Sequence, residues 1–488
     1  KIFFSIRGIM VFSSYTFLIY FLPFTLLTLY ILPHKYRNVF LLIMSLIFYM
    51  WSSPQYTVLM IVVIIITYYS GLYINKMNNI NNLKKSKITL IISISFFIFI
   101  LIIFKYFSFL ENNLSSLFDS ILSINWEIKD IALPVGISFY LFQSISYLID
   151  VYRKDIAVQK GFKNLALYIS MFPQLVAGPI VRYSSIVDSI NNKRIISYNE
   201  FSLGLKIFIL GLAKKVLIAN QLAITADSIF SLEPSSLTTL AAWIGALAYS
   251  LQIYFDFNGY SDMAIGLGIM IGFKFPINFN YPYIAYSITD FWRRWHISLS
   301  SWFKDYVYIP LGGNRVKVSR MYLNLIIVFA LTGIWHGANW TFLVWGLFHG
   351  LFLIIEKLTG LNKTTKYKFI RWFITMVIVI IGWVFFRSDN LSYAVDYLKI
   401  MFSLHNEEQF ISFKLLMDYQ LLMLFILSFI GSTPLIKKYI IPNIDAYKNI
   451  TINKNLTYIQ NIAILFLYFY IFILLAGDTH NPFIYFRF

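Results

Sequence analysis

Apolar residues run along this chain in long blocks. Residues 15–32, 56–74, 88–104, 340–355 and 459–476 each come close to the roughly 20 residues a helix needs to cross a bilayer. None of these blocks alternates apolar with polar positions, so the pattern predicts membrane helices and not the strands of a barrel. The polar segments between them alternate in sign. Residues 77–88 hold Lys84, Lys85 and Lys87 with no acid, whereas 105–131 set Glu111, Asp119, Glu127 and Asp130 against two lysines. Basic loops face the cytoplasm, which places the first inside and the second outside.

The same reading places Arg153 to Lys163 and the pair Lys193 and Arg194 both inside, although "NLALYISMFPQLVAGPIV" lies between them. Pro173, Gly178 and Pro179 interrupt that stretch, so it is expected to enter and leave the same face. Such backbone is tolerated at membrane depth only where protein or a water-lined cavity surrounds it. Later, 290–320 is basic and inside, 356–371 is inside, 388–418 is acidic and outside, 437–454 is inside, and both termini are outside. The expectation is an all-α integral membrane protein of eleven to thirteen spans with re-entrant pieces. It forms one domain over 1–488, without an internal repeat of the kind built into many transporters. Residues 15–32 read as a retained span; Met10 is a plausible start, which would make 1–9 an upstream extension.

Composition agrees with the pattern: 59% of residues are hydrophobic and 13% charged, and the mean hydropathy is +0.69. The net charge of +18 would suit nucleic acid, but its bases sit in short loops between spans, so the membrane explains them. Cysteine is absent, which excludes thiolate metal sites and an acyl-cysteine intermediate on this chain. No phosphate-binding glycine loop, zinc-protease helix or nucleophile elbow occurs.

Against this background "ALTGIWHGANWTF" is unusual. Only about fifteen residues separate Arg320 from His336, so a helix would carry that histidine roughly 22 Å into a core of about 30 Å. Trp335 and Trp340 flank it, and Gly333 and Gly337 permit close backbone approach. A structural histidine bonded to helix neighbours is one reading. The other is functional, because ionisable groups at membrane depth are costly, and a neutral imidazole is a competent general base.

"DFWRRWHISLSSWFKDYVYIPLGGNR" interleaves Arg293, Arg294, His296, Lys304 and Arg315 with Trp292, Trp295, Trp302 and Tyr306. It reads either as an interfacial belt or as a cytoplasmic dock for an anionic, partly planar ligand such as coenzyme A. Asp256 and Asp262, six apart, would lie about 240° apart on a helix and so should not form one carboxylate pair. Lys214 and Lys215 are their expected partners, as structural glue. His349 is expected to hydrogen-bond inside the bundle, and His34, His405 and His480 to lie in loops.

Taken together, "LPVGISFYLFQSISYLIDVYR", "FPQLVAGPIVR", "YFDFNGYSDMAIGLG", "FWRRWHISLSSWF", "YIPLGG" and "TGIWHGANWTF" resemble the membrane-bound O-acyltransferases. The branch they resemble acetylates bacterial alginate and peptidoglycan, and the peptidoglycan enzymes are the nearest likeness. The resemblance runs from "MVFSSYTFLIYFLP" to "NPFIYFRF". It implies a helical bundle around a central tunnel, with His336 as the catalytic histidine and His296 as the second hallmark. The remaining site expectations are Trp292, Arg293, Arg294, Trp295, Trp335 and Asn339 around donor and acceptor, with Asn339 as a candidate oxyanion donor. It further implies acetyl-coenzyme A as donor substrate, with no bound cofactor and no metal. The acceptor is a glycan or a periplasmic SGNH-type (serine esterase-like) O-acetyltransferase partner, and the location is the bacterial inner membrane. Teichoic acid D-alanyltransferases resemble the first part of the chain but are shorter; residues 388–488 look like the C-terminal extension of the acetyltransferase branch. A proton-linked transporter and a scaffold are the competing classes.

Overall fold

The structure, a computed structural model, describes residues 10–111, 113, 133–176, 178–361, 364, 366–403, 418–435 and 454–477. The suggested extension 1–9, most of the acidic loop after Lys105, the loop at 437–453, the tail after Gly477, His405 and His480 lie outside the described residues. All regular structure among the described residues is helical.

The helices used below are, in chain order, α1 (His34–Ser52), α2 (Thr57–Asn79), α3 (Leu83–Leu101), α4 (Ile137–Arg153), α5 (Tyr198–Ala213), α6 (Thr239–Met270), α7 (Ile288–Arg294), α8 (Ile297–Phe303), α9 (Val318–His336), α10 (Trp340–Leu358) and α11 (Lys368–Arg387). A π-helical stretch, Lys214–Ala219, joins α5 to a further helix Asn220–Phe230. Among the described residues, five helices are long and apolar enough to cross a membrane: Pro54–Asn79, Leu83–Glu111, α9, α10 and α11. The expected spans near each end of the chain are shorter apolar helices, Thr16–Ile31 and Gln460–Ala476. Exposed faces such as Ile91, Ile92 and Phe99 on α3, or Phe369, Ile370 and Phe373 on α11, would be unfavourable in water. A hydrocarbon surround removes that cost.

Contacts divide the chain into two compact units: Lys1–Leu205 with Ala264–Pro276, and Lys206–Met263 with Ile277–Phe488. In the first, Asn82 caps α3 by accepting from the Lys85 amide at 3.1 Å, and the adjacent Asn78 accepts from Ser86 Oγ at 2.7 Å. The proline-interrupted stretch forms two short helices, Phe162–Ser170 and Phe172–Leu175, most of whose residues are buried. At about 1.5 Å per residue neither can cross a membrane. His34 opens α1 and so belongs to a helix rather than a loop.

In the second unit, the end of α5 crosses α6 with backbone on backbone. A Cβ added at Gly211 would lie 2.6 Å from the Gly259 carbonyl oxygen, the small-residue contact that membrane helices favour. Just beyond, Lys215 meets Asp256 at 2.8 Å and Lys214 meets Asp262 at 2.6 Å. Each aspartate has its own lysine, as the spacing on the helix requires. A second close crossing joins α9 and α10: a Cβ at Gly333 would strike the Phe342 carbonyl, and one at Gly346 the Phe329 carbonyl.

The two ion pairs differ in burial, and their contributions should differ accordingly. Lys215 and Asp256 side chains are 3% and 1% exposed, against 29% and 24% for Lys214 and Asp262. Removing one partner of the buried pair, as in Lys215→Ala, should cost about 3–5 kcal/mol because an unpaired charge remains. Lys214→Ala should cost less than about 1 kcal/mol. Thermal midpoints of the purified proteins in detergent check this, and the double variant Lys215→Met, Asp256→Leu should recover most of the loss.

Candidate active site

His336 is the last residue of α9. The helix stops there because Gly337 is fully extended and Asn339 begins the next one: Asn339 Oδ1 accepts from the Thr341 amide at 3.1 Å. Asn339 Nδ2 donates to the Asp389 carbonyl at 2.8 Å. The amide thus ties α10 to the end of α11, a framework use that differs from the oxyanion role expected for it. His336 is 5% exposed. Three rings enclose its imidazole, with centroids 4.9 Å (Trp335), 5.0 Å (Trp345) and 5.1 Å (Phe386) away, all edge to face.

His296 joins α7 to α8 in the left-handed region, at φ 42°. That conformation costs a non-glycine residue about 1–3 kcal/mol and persists only where the surroundings enforce it. Here they do. Asn278 Oδ1 lies 3.0 Å from His296 Nδ1 and also accepts from Ser298 Oγ at 2.8 Å, while Asn278 Nδ2 donates to Ser261 Oγ at 3.1 Å. Because that oxygen is an acceptor, Nδ1 carries the hydrogen and Nε2 keeps the lone pair. Burial lowers the His296 pKa from 6.5 to about 3, so the ring is neutral at physiological pH.

One indole stands between the two imidazoles. Trp335 lies 6.0 Å from His296 and 4.9 Å from His336, ring to ring. Trp345 similarly links His336 to His349, at 5.0 and 5.3 Å. His349 is fully buried, as expected, but it is not a hydrogen-bonder. Both ring nitrogens are without a hydrogen bond, and the ring is packed parallel to Phe291 and edge-on to Trp292.

The basic, aromatic segment 290–320 separates into two layers. Arg293, Lys304, Arg315, Lys317 and Arg320 are exposed, whereas Trp292, Trp295, Trp302 and Tyr306 are buried. Trp295 packs on Trp383 at 4.8 Å and Phe279 at 5.0 Å, so the expected stacking platform is core instead. Arg294 is committed to Asp290 at 2.9 Å. The segment is fixed by a residue that sequence reasoning passed over: Glu356 on α10 accepts from Thr289 N at 2.9 Å, Thr289 Oγ1 at 2.7 Å and the Ile288 amide. A carboxylate at the first turn of α7 answers both its orphan amides and its dipole. Asn278 was equally unsignalled, an asparagine in a polar loop eighteen residues upstream of its histidine.

A cavity of about 320 Å³ lies beside His336, walled by Tyr249, Phe342, Phe386, Arg387 and Asp389 among others. Phe386, in the cavity wall, packs on His336 at 5.1 Å, and Phe342 packs on Phe386 at 4.9 Å. A larger, almost wholly apolar cavity of about 690 Å³ lies between Trp243, Tyr283, Trp372 and Ile380. Among the described residues no three His, Asp or Glu side chains gather as a metal site.

Residues 45–395, which contain both enclosed histidines of the hallmark motifs, match the family model described as MBOAT, membrane-bound O-acyltransferase family. The chain is 46% identical over 395 residues to the probable alginate O-acetylase AlgI of Pseudomonas syringae, covering 81% of this chain and 75% of the relative. It is 38% identical over 433 residues to the peptidoglycan O-acetyltransferase of Helicobacter pylori, covering 81% and 80%. To the teichoic acid D-alanyltransferase of Bacillus subtilis it is 30% identical over 269 residues, half of this chain and 65% of that one. The protein therefore belongs to the membrane-bound O-acyltransferase family and is a membrane-embedded O-acyltransferase.

Proposed function

We propose that this enzyme carries an acetyl group from cytoplasmic acetyl-coenzyme A to a hydroxyl on the far side of the bacterial inner membrane, for O-acetylation of a cell-envelope glycan. The observation that carries the proposal is His336, enclosed at the end of α9 between a cavity on one side and the indole leading to His296 on the other. By the distribution of loop charge, the cavity end of α9 and α11 is extracytoplasmic and the basic end is cytoplasmic.

In this reading the exposed Arg293, Lys304 and Arg315 bind the donor's phosphates, as guanidinium and ammonium groups do. The thioester end passes inward. His336 takes the proton of the acceptor hydroxyl as its oxygen attacks the thioester carbonyl. The tetrahedral intermediate then breaks its carbon–sulfur bond, and the proton passes to the departing thiolate, leaving an acetyl ester and coenzyme A thiol. His296, with Nδ1 held by Asn278, turns its Nε2 lone pair to the donor and positions it. With no cysteine in the sequence, a direct transfer or an oxygen- or nitrogen-bound acetyl group are the routes open to this chain.

Peptidoglycan, finished through a periplasmic SGNH-type partner, is the acceptor favoured by the sequence motifs. An alginate-like polysaccharide is the second reading, supported by several alginate O-acetylase relatives at 43–46% identity. Deleting the gene and measuring ester-linked acetate on purified cell wall and on secreted polysaccharide separates them.

Two kinetic outcomes test the roles. His336→Ala should lower acetyl-coenzyme A consumption by about 10²–10⁴, the usual worth of a general base; thiol release within threefold of wild type would remove His336 from the chemistry. Asn278→Leu should act on donor positioning, raising the acetyl-coenzyme A KM about tenfold, roughly the loss of one hydrogen bond to a key side chain. A fall confined to kcat would contradict that assignment.

A further inference from the structure

The larger cavity of the second unit, about 690 Å³, is lined by neither hallmark histidine. Its walls are α6 between Trp243 and Leu251, α11 between Trp372 and Ile380, and the end of the helix Tyr419–Gly431. The stretch of α11 covers about 12 Å at about 1.5 Å per residue, and α11 is long and apolar enough to cross a membrane. The cavity therefore lies at membrane depth.

Six polar side chains are among the described residues that line it, and all six are turned to backbone. Trp243 Nε1 donates to the Met401 carbonyl at 2.8 Å, Trp372 Nε1 to that of Tyr283 at 2.8 Å, and the Tyr283 hydroxyl to that of Ser250. The Ser250, Ser432 and Thr433 hydroxyls donate to the carbonyls of Ala246, Phe429 and Ile430 at 2.6, 2.9 and 2.7 Å. Their hydrogens are thus committed within the protein, and the cavity meets ring faces and hydrocarbon. Water settles only where about two to four polar partners converge, and sugars and peptides ask for more. An alkyl chain asks for none.

The cavity opens sideways. Phe373 and Phe429, both in its wall, are 58% and 50% exposed, and Phe369 and Ile370 extend the same apolar surface of α11. In a bilayer such a surface faces acyl chains.

Charge selects among lipids. Residues 357–388 contain no acid, and Lys366 and Lys368 are exposed at the start of α11. Arg371 donates to the carbonyls of Leu361 and Thr364 and lies 5.5 Å from the Tyr286 ring, which ties the preceding loop to the helix. One turn of α11 separates Lys368 from Trp372 in the cavity wall. By loop charge this is the cytoplasmic end, where basic clusters attract anionic headgroups. A partner's membrane helix would fill the apolar part but would bring no anion to the lysines.

We propose that this cavity holds an acyl chain of an anionic phospholipid, with the headgroup phosphate at Lys366 and Lys368. The inference needs only a membrane-embedded chain and stands whichever glycan is acetylated.

The test uses the purified protein in nanodiscs of equal parts phosphatidylglycerol and phosphatidylcholine. Phosphatidylglycerol with a photoreactive group in its acyl chain should crosslink chiefly to residues 243–251, 372–380 and 429–433, read by peptide mass spectrometry. Native mass spectra should show phosphatidylglycerol retained in preference to phosphatidylcholine. Lys366→Gln combined with Lys368→Gln should cut that preference roughly tenfold, within what two basic groups supply at a membrane surface. Val377→Trp, which fills the cavity from α11, should remove the crosslinks from these segments; the wild-type crosslink map decides alone where that variant does not fold. Labelling as dense on Ile91 and Phe99 of α3 as in the cavity, or none in the cavity, as a partner helix seated there would give, would overturn the proposal. So would equal retention of the two lipids, or unchanged labelling in folded Val377→Trp.

Discussion

Contact of backbone against backbone between α9 and α10 is the constraint on which the site depends. Gly333 faces the Phe342 carbonyl and Gly346 the Phe329 carbonyl, each with no room for a methyl group. Two helices brought that close carry their flanking side chains into register. Trp345, next to Gly346, reaches His336 across the hairpin, and Phe342 closes under Gly337. In a bilayer apolar burial gives little net drive for helix association, because lipid tails are as apolar as leucine, and close van der Waals packing has to supply it. The glycines therefore do twice what they would do in water: they allow the contact and they are the source of its energy.

Around that hairpin the low dielectric makes every polar group a matter of partnership. Lys215 and Asp256 resolve it by pairing, and Glu356 by capping α7 with three hydrogen bonds. His296 resolves it through Asn278, which fixes both ring orientation and tautomer. His336 is enclosed by rings, with Trp335 shared between it and His296. The two histidines are thus prepared differently: one is held by a hydrogen bond to a rigid amide, the other is walled by aromatic edges beside a cavity. The roles proposed for them, a base at His336 and a positioning group at His296, accord with that difference, since a base exchanges partners during a reaction.

Much of this was legible in the sequence because bilayer physics writes itself into composition. Runs of spanning length, the broken stretch at Pro173 to Pro179 and the separate partners for Asp256 and Asp262 all follow from hydropathy and helical period. What escaped reading depends on which way short, irregular pieces face. In a seven-residue helix such as α7, Trp292 and Trp295 have no amphipathic period long enough to say that they turn inward while Arg293 turns out. Asn278 and Glu356 act over eighteen and sixty-seven residues of sequence, and nothing local marks an asparagine or glutamate as the partner of a distant backbone turn. Arg387 was hidden for a related reason: at the end of a span it looks like any interfacial arginine until Asp227 and the cavity are seen beside it.

The separation of charges along the second unit also explains how one group could cross where its carrier cannot. Moving a charged side chain to the bilayer centre costs at least about 2.5–3.5 kcal/mol, and a coenzyme with several phosphates would cost far more. The exposed bases of 290–320 lie at the basic end of the second unit, and the rings of His296, Trp335, His336 and Phe386 link that segment to the wall of the cavity. Such a surround favours a neutral fragment over a charged one. An acetyl thioester is neutral at its reacting end, so the phosphates of the proposed donor can stay in cytoplasmic solvent while two carbons and an oxygen reach His336. A neutral sugar hydroxyl arriving from the opposite side meets the same condition. In the proposed reaction such an interior favours delivery of the acetyl group over transport of the whole donor, because the desolvation cost falls on the charged part that stays behind.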